Sequence, residues 1–431
     1  MTSPGLNSRS IIIEIIMLVY LSIGDRQEGP YSVEELRQKV QEGEIVAAET
    51  LAWHEGLPSW CPLQSVLPKA QVDSRSQSNP SFLGRITDHV TTAAGSEKIE
   101  GFSLGNFFSE VFSKHDEDKI EASFAVGTQE TTPPLELVDA NWPKPWLFFR
   151  CLCAAVIVYA ILLWGYRKFE NPNLLPGIML VGSFGVPIAT LVLFFEVNVL
   201  KNLSVYRVIK GFMLGGVLAL IGCLFLFEIL SGWNELLGAS VAGLTEEPAK
   251  LLAAIWLVRQ KNISNPLNGL LLGAAVGAGF AAFESAGYAF NIVFDSHNQN
   301  IALLLDGATS GFTNPVQAMI ANIETRGLLS PLAHIVWTAI SMAAFVHAKG
   351  IRPISMEVFK DFRFWRVFGI AILLHMAWNS QWLHQFTGYF GWLGLGLIAW
   401  IIMISQMQRG LKEIKHEQSL ATHNLQPSPV P

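Results

Sequence analysis

The hydrophobic pattern divides the chain in two. From Trp146 to about residue 408, apolar residues run in stretches of roughly twenty, too long and too continuous for one face of a surface helix. Eight such stretches lie at about 146–166, 174–196, 206–230, 233–258, 267–290, 330–348, 364–382 and 390–408. At 1.5 Å per residue each can cross about 30 Å of hydrocarbon, so the pattern predicts eight transmembrane helices. A further apolar run, Ile301 to Leu305, is short and broken by Asp306, Gly307 and Pro315, and is expected at the outer interface.

Before Trp146 the pattern is mixed. Ile11 to Ile23 is apolar but short, holds Glu14, and has neither a basic start nor a small-residue cleavage site, so it reads as neither signal peptide nor span. Met17 to Ile23 instead reads as a β-strand, and the residues ahead of it as an over-extended start. Gly29-Pro30 marks a turn, and Ser32 with Glu35 forms a capping box for a helix from Ser32 to Gln41. Residues 68–140 are rich in Ser, Thr, Pro and Glu and read as linker. Within them Leu104, Phe107, Phe108, Val111 and Phe112 are spaced as one amphipathic helix face.

Composition agrees with two solvents. Only 15% of the 431 residues are charged, against about 25% in ordinary soluble domains, and mean hydropathy is +0.36. A net charge of −6 with no dense Lys/Arg block argues against a nucleic-acid partner. Cys61, Cys151, Cys153 and Cys223 lack CxxC spacing and read as small apolar residues. With the N-terminus in the cytoplasm, the inner flanks hold fifteen Lys and Arg against three outside, Arg167, Lys168 and Arg326. Both termini are therefore expected to be cytoplasmic.

Ionisable side chains inside such spans are costly and mark function by default. The fourth span has Glu246, Glu247 and Lys250 in "LTEEPAK", the fifth Glu284 in "GFAAFESAGY", the sixth His334 in "PLAHIVW", and the seventh His375 and Asn379 in "LLHMAWNS". Each group alone has a structural reading: Lys250 can neutralise either glutamate, and a membrane histidine or Asn379 can join helices by hydrogen bonds. Their convergence on four consecutive spans favours chemistry. Glu196 and Glu228 lie near span ends and read as interfacial. Pro248 is expected to break or kink the helix beside the paired glutamates, at a place facing a water-filled cavity. Depth counts put Glu246, Glu284, His334 and His375 at a common level, roughly 17–25 Å from the cytoplasmic side.

The residues at 206–382, "EEPAK", "GAGFAAFE", Arg326 followed by "PLAHIVWTAI", and "LLHMAWN", resemble in order the motifs of the PrsW family of intramembrane proteases, relatives of the CAAX prenyl endopeptidases. The resemblance implies an active site of Glu246, Glu247, Glu284, His334 and His375 with Asn379 alongside, Lys250 and Arg326 supporting. It implies cleavage of a single-pass, anti-sigma-factor-like signalling protein in a bacterial inner membrane. Those that cut prenylated chains carry histidine where this chain has Glu284. A desolvated glutamate suits a general base, and His375 and Asn379 suit oxyanion donors. A divalent metal such as zinc, held from Glu247, Glu284, His334 and His375, would serve equally; with no HExxH helix, metal-free catalysis is favoured. At the front, "GPYSVEEL", Gly43, "TLAWHEGLPSW" and Pro62 resemble the GYF-like module type 2. That resemblance makes Tyr31, Trp53 and Trp60 either contacts for a proline-rich peptide or the core of a small domain.

The expectation is an all-α polytopic membrane bundle of about eight transmembrane helices with a small N-terminal α+β GYF-like domain. Its parts are the module at 17–67, the linker at 68–140, the membrane domain at 141–410 and a disordered tail at 411–431. The expected function is peptide hydrolysis near the outer face of the membrane. The rivals are a scaffold presenting the GYF-like module and a proton-coupled transporter. The latter commonly shows internal repeats, and this hydropathy pattern has none.

Overall fold

The computed structural model describes residues 18–23, 26–32, 35–36, 39–40, 45, 50–54, 57, 59–66, 82–258, 263–306 and 310–424. Two compact units result, residues 1–81 and 82–431, and each is taken by itself.

The first unit holds four antiparallel strands, β1 (Leu18–Ile23), β2 (Arg26–Ser32), β3 (Leu51–His54) and β4 (Cys61–Pro62), in the order β2-β1-β3-β4, followed by the short helix α1 (Leu63–Val66). Strand alternation decides its faces. Val19 and Leu21 point to one side and are buried with Leu36, Ala52 and Leu63. The capping box is present: the Ser32 N–H and Oγ both donate to Glu35 Oε2, at 2.8 and 2.9 Å, and the Glu35 N–H returns to Ser32 Oγ. Those bonds hold the Glu35 carboxyl below its ordinary pKa, so their contribution is present at neutral pH and lost as acid protonates it. Of the predicted helix from Ser32 to Gln41 only part falls within the described residues, and residues 1–17 and 67–81 lie outside them.

The second unit begins with α2 (Phe82–Ala93), α3 (Leu104–Phe107) and α4 (Glu117–Phe124). It continues with α5 (Leu147–Phe169), α6 (Leu175–Val197), α7 (Val205–Ile229, with a π turn at Gly211–Gly215) and the short α8 (Asn234–Leu237). Then come α9 (Ala242–Val258), α10 (Pro266–Leu305), α11 (Pro315–Leu329) and α12 (His334–Lys349). The chain closes with α13 (Phe362–Trp378), α14 (Gln381–Thr387) and α15 (Tyr389–Asn424). Among the described residues six helical stretches are long and apolar enough to cross a membrane: Leu147–Phe169, Pro172–Val197, Val205–Ile229, Pro266–Leu305, Pro315–Lys349 and Tyr389–Ala421. Helices also form at the fourth and seventh expected spans, α9 and α13, but each has only 17 residues. At about 26 Å they sit at the short end of what can span.

The centre of this unit is α10 against α12, and small residues bring the two backbones together. Gly269, Gly273 and Gly277 form a stripe on α10. A methyl group at Gly269 would come within 2.7 Å of the Ala343 Cα, and one at Gly277 within 2.6 Å of the His334 carbonyl oxygen. Gly277→Leu is therefore expected to push His334 off its position and to abolish any function that needs it, with protein recovered in far lower yield. Normal yield and normal function together would show that this approach does not position His334.

Several expectations are corrected. The run Ile301–Leu305 is not a separate interfacial segment but the end of α10, a single helix of 40 residues. Pro248 lies inside α9, which continues through it without a break. The amphipathic helix read from Leu104 to Phe112 stops at Phe107; turns follow, burying Phe107 and Val111 and leaving Phe112 exposed. Residues 82–140 are not a free linker. Their backbone is bonded to polar side chains of α15: Gln408 Nε2 donates to the Lys98 carbonyl at 2.7 Å, Ser405 Oγ to Glu97 at 2.9 Å, and Gln418 Nε2 to Leu135 and Val138 at 2.8 Å each. The expected disordered tail is helical from 411 to Asn424. Glu196 has a role that its position near a span end concealed. Its carboxylate accepts the backbone N–H groups of Trp146, Leu147 and Phe148 at 2.8, 2.8 and 2.9 Å, capping α5. Glu196→Leu should cost about 1–3 kcal/mol, read as a lowered Tm in detergent; an unchanged Tm would show that the cap contributes nothing.

Candidate active site

Glu246, Glu247, His334 and His375 meet at one place, and Glu284 and Lys250 join them. The local fold explains why. Glu246, Glu247 and Lys250 lie on consecutive turns of α9, so both carboxylates fall within reach of the same ammonium. Lys250 Nζ is 2.6 Å from Glu247 Oε1 and 3.7 Å from Glu246 Oε2. His334 is the first residue of α12, after a break at Ala333 that ends the turn Ser330–Leu332. His375 stands near the end of α13.

Glu247 is the hub. Its Oε1 receives Lys250 and also the Nδ1 of His375 at 2.8 Å. A carboxylate only accepts, so His375 carries its proton on Nδ1, and its Nε2 faces Glu246 Oε2 at 3.7 Å. His334 is held the opposite way. Lys250 Nζ, a donor only, lies 3.0 Å from His334 Nδ1, so the His334 proton sits on Nε2, 3.2 Å from Glu284 Oε2. Glu284 also accepts from Arg326 Nη2, while Arg326 Nε donates to Ser285 Oγ at 3.1 Å. Aromatic rings fill the gaps. Phe280 lies beneath the Lys250 ammonium at 4.6 Å. Trp337 stacks on His375 at 4.7 Å, with its indole N–H unpartnered.

Glu246 and Glu247 each have an Oε2 without a hydrogen bond, but Glu246, 6% exposed, differs in its access to open space. It borders a cavity of about 550 Å³ that is also lined by Glu284, Arg326, His334, His375 and Asn379. Asn379 does not continue α13 beside His375 as expected; it caps the helix, its backbone N–H reaching the His375 carbonyl at 3.2 Å, and it borders the cavity.

Among the described residues, Glu246, His334 and His375 form a group that could hold a metal ion, with ligand atoms all within 4.8 Å of one another. The group keeps His334 and His375 of the expected ligand set and holds Glu246 beside them. The donor types suit zinc. The surroundings do not fit a dication as they stand, because the Lys250 ammonium lies 3.0 Å from one donor and 3.7 Å from another.

In this setting the comparisons are specific. Residues 204–406 match the family model described as PrsW family intramembrane metalloprotease. The match lies within the second unit and covers just under half of the chain. Over 123 residues the chain is 31% identical to Protease PrsW of Clostridioides difficile (strain 630), a stretch covering 27% of this chain and 50% of the relative. The chain thus spans about half the length of the curated relative it matches. Residues 20–67 match GYF domain 2, and no solved structure matches. Glu246, Glu247, Lys250, Glu284, Arg326, His334, His375 and Asn379 all fall inside the PrsW-family match.

Phe280, Trp337, Ser285 and Tyr288, whose ring lies 4.4 Å from the Arg326 guanidinium, went unnoticed in the sequence. They are ordinary aromatic and small residues in apolar runs, and only their contacts distinguish them. In the GYF-like unit the three candidate aromatics are not brought together. Tyr31 pairs with Val19 and packs on the core, whereas Trp53 pairs with Tyr20 on the other face, 6.2 Å between rings. Trp53 Nε1 donates to the Leu57 carbonyl at 2.9 Å, and Trp60 is exposed.

Proposed function

We propose that the membrane unit is an intramembrane peptidase that hydrolyses a bond near the outer end of a membrane-embedded polypeptide, with Glu246 activating the water. The observation that carries this reading is the unpartnered Glu246 oxygen, buried yet on the cavity wall, with His375 Nε2 and His334 Nδ1 each 3.7 Å away. A desolvated carboxylate without a hydrogen-bond donor is poised to take a proton from water. Around it the other charges position rather than react. Glu247 and Lys250 fix His375 and His334, and Glu284 and Arg326 lock the far side of His334. Neutral His375, protonated on Nδ1, offers a lone pair at Nε2, so it suits holding the water. The oxyanion donor then falls to the Asn379 amide.

Glu246 lies five residues into α9, His334 opens α12 and His375 is three residues from the end of α13. With a cytoplasmic N-terminus these are the outer ends of all three helices. The cut is therefore expected near or just beyond the outer boundary of the substrate's span, and sequencing the new N-terminus of the product tests it. A cut at the cytoplasmic boundary would refute the orientation. The substrate class that suits the site is a single-pass membrane protein, anti-sigma-factor-like by the family resemblance. Co-expression with such proteins, comparing wild type with Glu247→Ala, identifies it by a product that only the wild type makes. A proline-rich peptide is the partner proposed for the GYF-like unit, with the exposed Trp60 as the candidate contact.

The catalysis is proposed to be metal-free, because Lys250 already supplies positive charge among the donors that a dication would need. Purified enzyme should remain active after exhaustive treatment with a strong chelator. Activity lost and then restored by stoichiometric zinc would instead place the ion on Glu246, His334 and His375.

A further inference from the structure

Glu284, Ser285 and Tyr288 stand on one stretch of α10, with Tyr288 one turn beyond Glu284 on the same side of the helix. All three close on a single side chain of α11. Arg326 donates from Nη2 to Glu284 Oε2 and from Nε to Ser285 Oγ at 3.1 Å. Its guanidinium lies over the Tyr288 ring, 4.4 Å from the centre. The hydrogen bonds hold two of its nitrogens, and the ring supplies a third contact. Tyr288 and Arg326 both border the cavity that Glu246 borders. From Arg326 the contacts run on into the site. Glu284 Oε2, the atom that accepts from Arg326, also faces His334 Nε2 at 3.2 Å. The other ring nitrogen, Nδ1, faces the Lys250 ammonium at 3.0 Å, so the His334 proton sits on Nε2 and points at Glu284. One carboxylate oxygen thus serves Arg326 and His334 together, and the place of the guanidinium decides where that oxygen lies.

We infer that Tyr288 is a positioning residue of the site, its ring holding Arg326 where Glu284 meets His334. The step from position to turnover rests on the peptidase reading; the positioning itself does not. The ring acts through its π face, whose negative potential attracts the cation, so the hydroxyl is not needed. Without the ring, Arg326 keeps only its bonds to Glu284 and Ser285, both through rotatable side chains. Glu284 Oε2 then follows the guanidinium, and the His334 N–H loses its carboxylate.

The test uses the full chain, reconstituted in lipid with ¹⁵N-labelled histidine. Solid-state NMR reads the His334 ring nitrogens, assigned by their loss in His334→Gln. In Tyr288→Leu the Nε2 signal should move toward its position in Glu284→Gln, and Tyr288→Phe should bring it back. Phenylalanine carrying one, two or three fluorines at position 288 keeps the shape of the ring and weakens its π face stepwise, and the signal should move in step. Turnover of fluorescently labelled casein in detergent is read on the same variants. With leucine or three fluorines kcat should fall about five- to thirtyfold, the range of a shielded contact of this kind, with KM unchanged and with phenylalanine rescuing it. A His334 signal that Tyr288→Leu does not move, a phenylalanine variant as impaired as the leucine one, or indifference to fluorination would overturn the assignment. Casein cutting that survives Glu246→Gln, or no cutting at all, would count against the peptidase reading, and the His334 signal would still decide the role of Tyr288.

Discussion

Glu246→Gln should reduce cleavage by roughly 10²–10⁴-fold, the range a positioned general base contributes, while the protein accumulates in the membrane at its normal level. The amide keeps the shape of the side chain and loses the basic oxygen. Glu246 Oε2 has no hydrogen-bond partner, and Lys250, 3.7 Å away, stays paired with Glu247 at 2.6 Å, so the change should leave the fold largely alone. Glu247→Gln, His334→Ala and His375→Ala should also abolish turnover, but by releasing groups that Glu247 and Lys250 hold in place. The measurement is product formation against a membrane-bound substrate at matched enzyme level. Normal turnover by Glu246→Gln would end the case for this carboxylate as the base, and normal turnover by Glu246→Ala with Glu247→Ala would end the case for a peptidase at this site.

The second large effect concerns stability. Lys250 is fully buried and joins Glu247 at 2.6 Å, with Glu246, His334 and the Phe280 ring around it. Lys250→Met removes the ammonium and leaves buried carboxylates uncompensated, which costs about 3–5 kcal/mol when one partner of a buried pair is lost. The variant should unfold at markedly lower temperature in detergent. Adding Glu247→Gln should recover a large part of the loss, because both charges then leave together. A double-mutant cycle measures this, and a coupling near zero would mean that the Lys250–Glu247 pair does not stabilise the site.

Much of this arrangement was legible in the sequence because charge inside an apolar run is rare enough to notice. The eight hydrophobic stretches each produced a helix, and the four motifs met. The capping box of Ser32 and Glu35 was readable because it depends on two residues three apart. What could not be read depended on distance in space. The sequence offers Lys250 two glutamates and does not show that His334 is a third partner, 84 positions away. It likewise gives no reason to prefer Glu246 over Glu247 as the base; that follows from which carboxylate borders the cavity. Glu196 looked interfacial because the three N–H groups it caps lie some fifty residues earlier. The 82–140 segment looked like linker because it is held through its backbone, and backbone bonds leave no pattern in side chains. α9 and α13, at 17 residues each, stand apart from the six longer apolar helices, and they are also the helices that carry Glu246, Glu247, Lys250 and His375.

The C-terminal helix has a practical consequence for imaging. At 36 residues α15 is about 54 Å long, roughly 24 Å more than the hydrocarbon it would cross, and its far part is fastened along Glu97, Lys98, Leu135 and Val138. A helical fusion partner joined in phase at Asn424 would therefore continue a fixed rod rather than swing on a tether. A membrane protein with little mass outside the micelle gives electron microscopy few features to align, and such a handle would report the rotation and tilt of the buried site in every particle.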